Sequence, residues 1–282
     1  MAGKHKEPFR LLYVIICLMC FATGMLVILY PCISSAWNSH TQSRAINGYN
    51  ETIHEAQQHT YDSIWEKVQM FNESVIMENN AATLSDRQME EYLNLLCMDQ
   101  DGMMGYLEIP AINCRLPIYH GTEEKKLNSG AGHIEWSSLP SGGTGNHCVI
   151  CGHSGLPQAV LFNHLSDLQI SDRFVLHVLD RILVYEIYRI ETCLPEETDL
   201  LKITEGQDLC TLVTCTPYGI NSHRLLVMGK RVEEPLVSVQ EVREEKRDQT
   251  FVGAVIISIW MCLWLCFLNI QHIKNIMHDT KG

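Results

Sequence analysis

Two apolar runs, one near each end, dominate the hydropathy pattern of the chain. Residues 11–30 and residues 251–270 each provide twenty consecutive positions without a charged side chain. A helix of about twenty such residues is long enough to cross the hydrocarbon core of a bilayer. We therefore predict a transmembrane anchor at 11–30 and a second transmembrane helix at 251–270.

Basic residues before the first run predict its orientation. Three of the first ten residues are lysine or arginine, and such residues beside a span favour the cytoplasmic side. Residues 1–10 and the tail 271–282 are therefore predicted to be cytoplasmic, with the intervening chain outside the cell membrane. A cleaved signal peptide is the alternative, because Ser34–Ala36 resembles a small-residue cleavage site.

The segment 31–101 is predicted to be helical. It has no proline after Pro31, and Gly48 is the one glycine between positions 37 and 97. A second helix is expected to begin near Ser85. Apolar residues at spacings of three and four predict an amphipathic helix before it: Tyr61, Ile64, Trp65, Val68 and Phe71.

Short runs rich in β-branched residues replace this pattern over residues 102–234. One helix, at 158–168, is predicted to interrupt them, and residues 235–250 are expected to form a linker. Seven or eight short strands predict a mostly β fold, a closed or nearly closed barrel that leaves no exposed sheet edge. The predicted strands are Met104–Ile109, Ile112–Tyr119, Cys148–Gly152, Phe174–Leu179, Ile182–Ile190, Leu209–Cys215 and Leu225–Val232.

Charge and cysteine spacing exclude two classes of site. Residues 32–250 carry 31 Asp and Glu against 16 Lys and Arg, which disfavours binding to nucleic acid. Twelve cysteines are present, and Cys148 and Cys151 form a CxxC that resembles half of a zinc site. Residues three apart on a strand point to opposite faces, so we predict neither a metal nor a cofactor.

The stretch Thr211–Arg231 carries the candidate chemistry. Its pattern predicts two strands joined by a turn-rich loop, with Cys215 at the end of the first and Arg224 at the start of the second. A thiolate is a strong nucleophile, and a guanidinium suits an oxyanion. A nucleophilic cysteine also needs a base, and His153, at the end of a strand, is the first candidate. Three histidines are its rivals: His120, His133 and His223.

Four motifs resemble those of class C sortases, the branch of that family that polymerises pilins. They are GYLEIPAINCRLPIYHGT, GAGHIEWSSLPSGG, GHSGLPQAVLFNHL and TLVTCTPYGINSHRLLVMGKR, in that order between residues 102 and 232. The resemblance implies an eight-stranded sortase-type β-barrel with N-terminal helices. Matched motif by motif, it also implies that His153, Cys215 and Arg224 are the catalytic residues.

The same resemblance implies a function at the surface of a Gram-positive-type cell. Such an enzyme is a multi-pass membrane protein whose extracytoplasmic cysteine transpeptidase cleaves an LPxTG-like sorting signal between Thr and Gly. The acyl group then passes from a thioester to an amine, which is a pilin lysine in pilus assembly or a cell-wall precursor in a housekeeping sortase. A cysteine hydrolase and a non-enzymatic, membrane-anchored adhesion module are the other function classes.

The sequence departs from the class C pattern in two places that concern the site. Ser154 follows the candidate histidine, where the family usually carries arginine. The Asp-Pro-aromatic lid of the family cannot occur in its usual place, because there is no proline between residues 32 and 109. We therefore expect Cys215 to be accessible to solvent.

Overall fold

The computed structural model describes residues 7–55, 58–77, 83–98, 102–156 and 160–233. The second predicted span, the linker before it and the tail after it lie outside these residues. Four helices are present in the described part: α1 (Glu7–Glu55), α2 (Gln58–Met77), α3 (Asp86–Asn94) and the short α4 (Glu124–Leu127).

Eight strands close into one barrel, in the order β1-β2-β3-β4-β7-β8-β6-β5. This confirms the predicted eight-stranded barrel. Two pairs of neighbours, β2 with β3 and β4 with β7, are parallel, and the other six are antiparallel. The strands are β1 (Met103–Ile109), β2 (Cys114–His120), β3 (Ala131–His133), β4 (Asn146–Cys151), β5 (Arg173–Val178), β6 (Arg181–Cys193), β7 (Asp208–Thr216) and β8 (His223–Arg231).

Two local predictions differ from the structure. Strand β3 was not predicted, because its three residues follow a glycine and include no β-branched side chain. The helix predicted at 158–168 is wrong, since the described part of that segment forms turns and a 3-10 helix at Leu165–Asp167. Leu161 has a φ of 35°, a left-handed value that an α-helix does not admit. The apolar side chains of the segment are nevertheless buried.

Helix α1 is long and apolar enough to anchor the chain in a membrane. Its most apolar eighteen-residue window has a mean hydropathy of 2.3, and none of that window is buried against the rest of the protein. It is the one helix of this kind within the described ranges. The predicted anchor at 11–30 lies inside α1, which continues to Glu55.

The end of α1 packs onto the barrel. Ile46 and Tyr49 are buried against Met103 and Tyr106 of β1. The hydroxyl of Tyr49 donates to the carbonyl of Met104 at 3.0 Å and accepts from the amide of Leu179 at 2.8 Å. One side chain thus attaches the helix to two parts of the sheet.

Helix α2 buries the apolar stripe that its sequence predicts. Trp65, Val68 and Phe71 belong to the main hydrophobic core, together with the residues inside the barrel. Next to the stripe, the buried Asn72 accepts from the amide of Leu139 at 2.8 Å and donates to its carbonyl at 3.2 Å. The amide satisfies the backbone of the connection between β3 and β4.

Helix α3 begins at Ser85, as predicted, with reciprocal hydrogen bonds between Ser85 and Gln88. It carries Tyr92, which is fully buried. The Tyr92 hydroxyl lies 3.0 Å from Nδ1 of His133 and accepts from the amide of Gly121 at 2.9 Å. Nε2 of His133 faces the carbonyl of Ser138 at 2.9 Å, so this nitrogen carries the proton and Nδ1 accepts from Tyr92.

Removing the Tyr92 hydroxyl tests this network. We expect Tyr92→Phe to lower the free energy of unfolding by about 1–3 kcal/mol, because a buried amide and a buried imidazole nitrogen each lose their partner. Tyr188→Phe is the control, since Tyr188 is 42% exposed. Urea unfolding of both variants measures the difference, and equal midpoints would show that the hydroxyl contributes nothing.

Candidate active site

The predicted site residues lie in one row across four neighbouring strands. Strands β4 and β7 pair at a constant offset of 62 residues, as between Asn146 and Asp208. The same offset relates His153, just beyond the end of β4, to Cys215. Cys215 pairs with Arg224 on β8, and Arg224 pairs with Cys193 on β6. We call these four residues the site row.

The site row lies on the outer face of the barrel. Side chains alternate between faces along a strand, and the residues next to Cys215 and Arg224 in the strands, Thr214 and Leu225, are both buried. Two residues before Cys215, Val213 packs on the outer face in a small apolar cluster with Leu201, from the connection between β6 and β7. The row therefore borders a packed apolar floor.

Three hydrogen bonds hold the segment around His153 against β7. The amide of Gly152 donates to the carbonyl of Val213 at 3.0 Å. The Thr214 hydroxyl donates to the carbonyl of Gly152 at 2.8 Å, and the Ser154 hydroxyl donates to the carbonyl of Cys215 at 2.6 Å. The residues on both sides of His153 are thus bonded to β7 next to Cys215.

The loop that follows closes back on the same segment. The amide of Phe162 donates to the carbonyl of His153 at 3.1 Å, and the amide of Gly155 donates to Oδ1 of Asn163 at 2.7 Å. A β-carbon at Gly152 would lie 2.5 Å from the Phe162 ring, so this position requires glycine. The histidine is therefore presented from a tightly packed turn.

Arg224 directs part of its guanidinium to the loop between β7 and β8. Its Nη1 donates to the carbonyls of Asn221 at 3.3 Å and His223 at 3.2 Å. The other two guanidinium nitrogens donate to no group within the described residues. Because a guanidinium presents its donors in a planar fork, Arg224 retains hydrogen-bonding capacity for an oxygen near Cys215.

Cys215 differs from the other cysteines of this face. It is partly exposed, in agreement with the accessibility expected from the missing lid motif. Desolvation raises the pKa of Cys151 to about 12, although the charge of Arg224 opposes it. Burial also raises the pKa of Cys193. These two neighbours are held as neutral thiols, and a neutral thiol is a poor nucleophile.

The rival histidines occupy structural positions. His120 and His133 are at most 1% exposed, and both bond to backbone carbonyls on the far side of β3. His223 pairs with Thr216 at the loop between β7 and β8, and its Nδ1 contacts the Ser222 hydroxyl at 2.9 Å. Strand alternation places its side chain on the face opposite to that of Arg224.

The CxxC residues diverge, as strand alternation predicts. Cys148 belongs to the core inside the barrel, where it pairs with Cys210 of β7. Cys151 packs with the outer cluster. A single ion cannot be bound by both side chains of this motif. Among the residues that the structure describes, no group of three His, Cys, Asp or Glu side chains is placed to hold a metal.

Sequence patterns did not reveal two contributors to the site. Ser154 was noted as a departure from the family motif, but its bond to Cys215 depends on the parallel pairing of β4 and β7. Cys193 gave no signal, because it meets Arg224 through a strand 31 residues earlier in the chain. Both contacts are non-local.

Comparisons with known proteins agree with this geometry. Residues 107–232 match the family model described as the sortase domain. The structure resembles that of sortase C1 from Streptococcus agalactiae, at 38% identity and a TM-score of 0.65, over 68% of this chain and 100% of that one. The chain belongs to the sortase family.

Two further relatives indicate how far this sortase is matched. Sortase C of Clostridium perfringens, solved with the C-terminal cell wall sorting motif, is 37% identical, with a TM-score of 0.61 over 68% of this chain and 100% of that one. Sortase A of Bacillus anthracis is 27% identical over 48% of this chain. The match spans 62% of that curated relative, so it concerns the barrel rather than the whole protein.

The bond from Ser154 to Cys215 can be tested as a positioning contact in this sortase. We expect Ser154→Ala to lower kcat on a peptide with an LPxTG-like signal by about tenfold, because the His153 segment loses one attachment to β7 and small misplacements are costly. KM should change little, and Ser154→Thr should restore the rate because it keeps the hydroxyl.

Ser166→Ala is the control, since that exposed hydroxyl lies outside the site. If Ser154→Ala kept its wild-type kcat, or if the threonine variant were as slow as the alanine variant, the positioning role would be wrong.

Proposed function

We propose that this sortase is a cysteine transpeptidase that cleaves an LPxTG-like sorting signal between Thr and Gly and transfers the acyl group to an amine. The alignment of His153, Cys215 and Arg224 across three neighbouring strands is the observation that carries the proposal. A binding module would not need a partly exposed thiol beside a histidine and an arginine.

In the first half-reaction, the Sγ atom of Cys215 attacks the carbonyl carbon of the substrate threonine. A tetrahedral intermediate forms and then loses the glycine amine, which takes a proton from His153. The threonine remains bound to Cys215 as a thioester. This step requires the thiolate, and Cys215 has the exposure that an attacking sulfur needs.

Arg224 stabilises the negative charge that develops on the threonine oxygen. Its guanidinium keeps its proton at every working pH and cannot act as a base. The nitrogens that are not bonded to the loop face the same row as Cys215, where a carbonyl oxygen would lie during attack. Donors that are fixed before reaction stabilise an oxyanion without reorganising.

In the second half-reaction, an incoming amine attacks the thioester carbon. The amine gives its proton to His153, the carbon–sulfur bond breaks, and Cys215 leaves as the thiolate. An amide replaces the thioester, so the enzyme returns to its starting state with no cofactor. Water in place of the amine would give hydrolysis, so the acceptor decides between transferase and hydrolase.

The class C likeness favours a pilin lysine as this acceptor. Two of the solved structures that resemble this chain are sortases C, and one of them was solved with a C-terminal cell wall sorting motif. The N-terminal apolar helix would hold the enzyme at the membrane with its barrel outside, where such proteins are assembled. A second span at 251–270 would make it a multi-pass protein.

The acyl-enzyme and its product test the reaction. Mass spectrometry of the full chain incubated with an LPxTG peptide should detect a thioester adduct at Cys215, and an added lysine-containing peptide should convert it to an amide product. Cys215→Ala should give neither species. Cys97→Ala, at an exposed position after α3, should give both.

The outcomes separate the possible functions. Peptide release without amide product, even with excess amine, would identify a hydrolase. Cleavage by a folded Cys215→Ala variant would contradict the assignment of the nucleophile. An amide product with a cell-wall precursor amine, but not with lysine peptides, would identify a housekeeping sortase.

The planar fork of Arg224 is tested by a change that keeps its charge. We expect Arg224→Lys to lower kcat/KM by about a hundredfold, the size of effect seen when an oxyanion donor is removed, because an ammonium group cannot make the same paired hydrogen bonds. Arg115→Lys on β2 is the control, since its guanidinium contacts Tyr106 away from the site. Near wild-type kinetics for Arg224→Lys would show that charge alone suffices.

A further inference from the structure

A second cavity lies at the end of the barrel opposite to Cys215. It has a volume of about 600 Å³ and lies between the connection from β3 to β4, the start of β6, the start of β7 and the end of β8. Along β7, seven residues separate Asp208 at this cavity from Cys215. At about 3.3 Å a residue the two sites are more than 20 Å apart, so this cavity is not part of the active site.

Basic side chains predominate in the lining. Arg181, Lys230 and Arg231 face Asp208 and Glu233, in a protein whose overall charge is strongly acidic. Burial lowers the pKa of the Arg181 guanidinium, and the charge of Arg231 acts in the same direction. Two like charges at this range destabilise one another unless an anion lies between them.

Arg231 also has a donor without an acceptor. Its Nε is buried and makes no hydrogen bond to any described residue, while its Nη2 donates to the carbonyl of Ile182 at 3.3 Å. Buried donors in native proteins almost always have a partner. An unpaired guanidinium nitrogen at the wall of a cavity indicates a missing acceptor.

Asp208 does not supply that acceptor. Its Oδ2 accepts from the amide of Gly143 at 2.8 Å, and its Oδ1 accepts from the hydroxyl of Tyr185 at 3.0 Å. These bonds turn the carboxylate toward the glycine loop and the barrel core. The positive charge at the cavity is therefore only partly compensated within the described residues.

The glycine loop keeps this wall open. Gly142 and Gly143 have φ values of 68° and 108°, which favour glycine. A β-carbon at Gly142 would lie 3.2 Å from Nη1 of Arg231 and 3.3 Å from Oδ2 of Asp208. A larger residue would push against both charged groups, so the absence of a side chain preserves the approach to Arg231.

We propose that this cavity binds the phosphate group of a small polyol phosphate. Guanidinium groups bind phosphate through paired, charge-assisted hydrogen bonds, which would occupy Nε of Arg231. The volume exceeds that of a bare phosphate, and the remaining polar lining (Ser141, Thr144 and Gln207) suits hydroxyl groups. No aromatic side chain lines it, so the lining offers no platform on which a nucleobase would stack.

Calorimetric titration of the full chain in a non-ionic detergent tests the site with inorganic phosphate and with glycerol 3-phosphate. We expect glycerol 3-phosphate to bind more tightly than phosphate. Arg231→Gln and Arg181→Gln should each weaken it by about tenfold or more, through loss of a charge-assisted contact. Lys125→Gln, at an exposed position on α4, should bind as the wild type does. Arg231→Lys should also bind weakly, because it keeps the charge and loses Nε.

The rate at which iodoacetamide modifies Cys215 serves as the check on folding, and it should be equal in all variants. No saturable binding, or equal affinity in wild type and both arginine variants, would overturn the proposal. So would glycerol 3-phosphate binding no more tightly than phosphate. Micelles doped with phosphatidylglycerol distinguish the source: competition with glycerol 3-phosphate identifies a lipid headgroup, and unchanged affinity identifies a free ligand. The test does not depend on the proposed reaction.

Discussion

The parallel pairing of β4 with β7 is the contact on which the candidate active site depends. The two strands are separated in sequence by β5 and β6, and their register places His153 beside Cys215. Hydroxyl groups of Ser154 and Thr214 continue that register where the ladder of strand bonds ends. A slip of one residue would turn every side chain of β4 to the other face, so the inward-facing core residues of β4 also fix the position of the histidine.

Buried and exposed thiols divide along the same strands. Inside the barrel, Cys148 and Cys210 pack in the core, and burial raises the pKa of Cys210 far above its usual range. On the outer face, Cys151 and Cys193 are also held neutral. The reactivity of Cys215 follows from its place at the rim, where the strand leaves the packed floor. The fold thus carries many cysteines near one nucleophile without making them competitors.

Most elements were predictable because their signals are local. The capping residues of α3, the apolar stripe of α2 and the β-branched runs of the long strands all correspond to observed structure. Strand β3 and the turn at 160–168 were missed or wrong, because their conformations depend on contacts with distant parts of the barrel. Cys215 and Arg224 share one hairpin, so a local pattern identified them. His153 needed the family motif, since no local pattern encodes pairing at an offset of 62 residues.

The length of α1 sets the distance between the barrel and the bilayer surface. The helix runs without interruption from the apolar segment to Tyr49, which is fastened to two parts of the sheet. From position 30 to position 46 an α-helix rises by about 24 Å. If the apolar segment spans the membrane, the catalytic domain stands on a stalk instead of resting on lipid headgroups. Its working height is then written in helical turns, and adding or removing a turn would move the thioester by about 5 Å relative to anything held at the membrane surface.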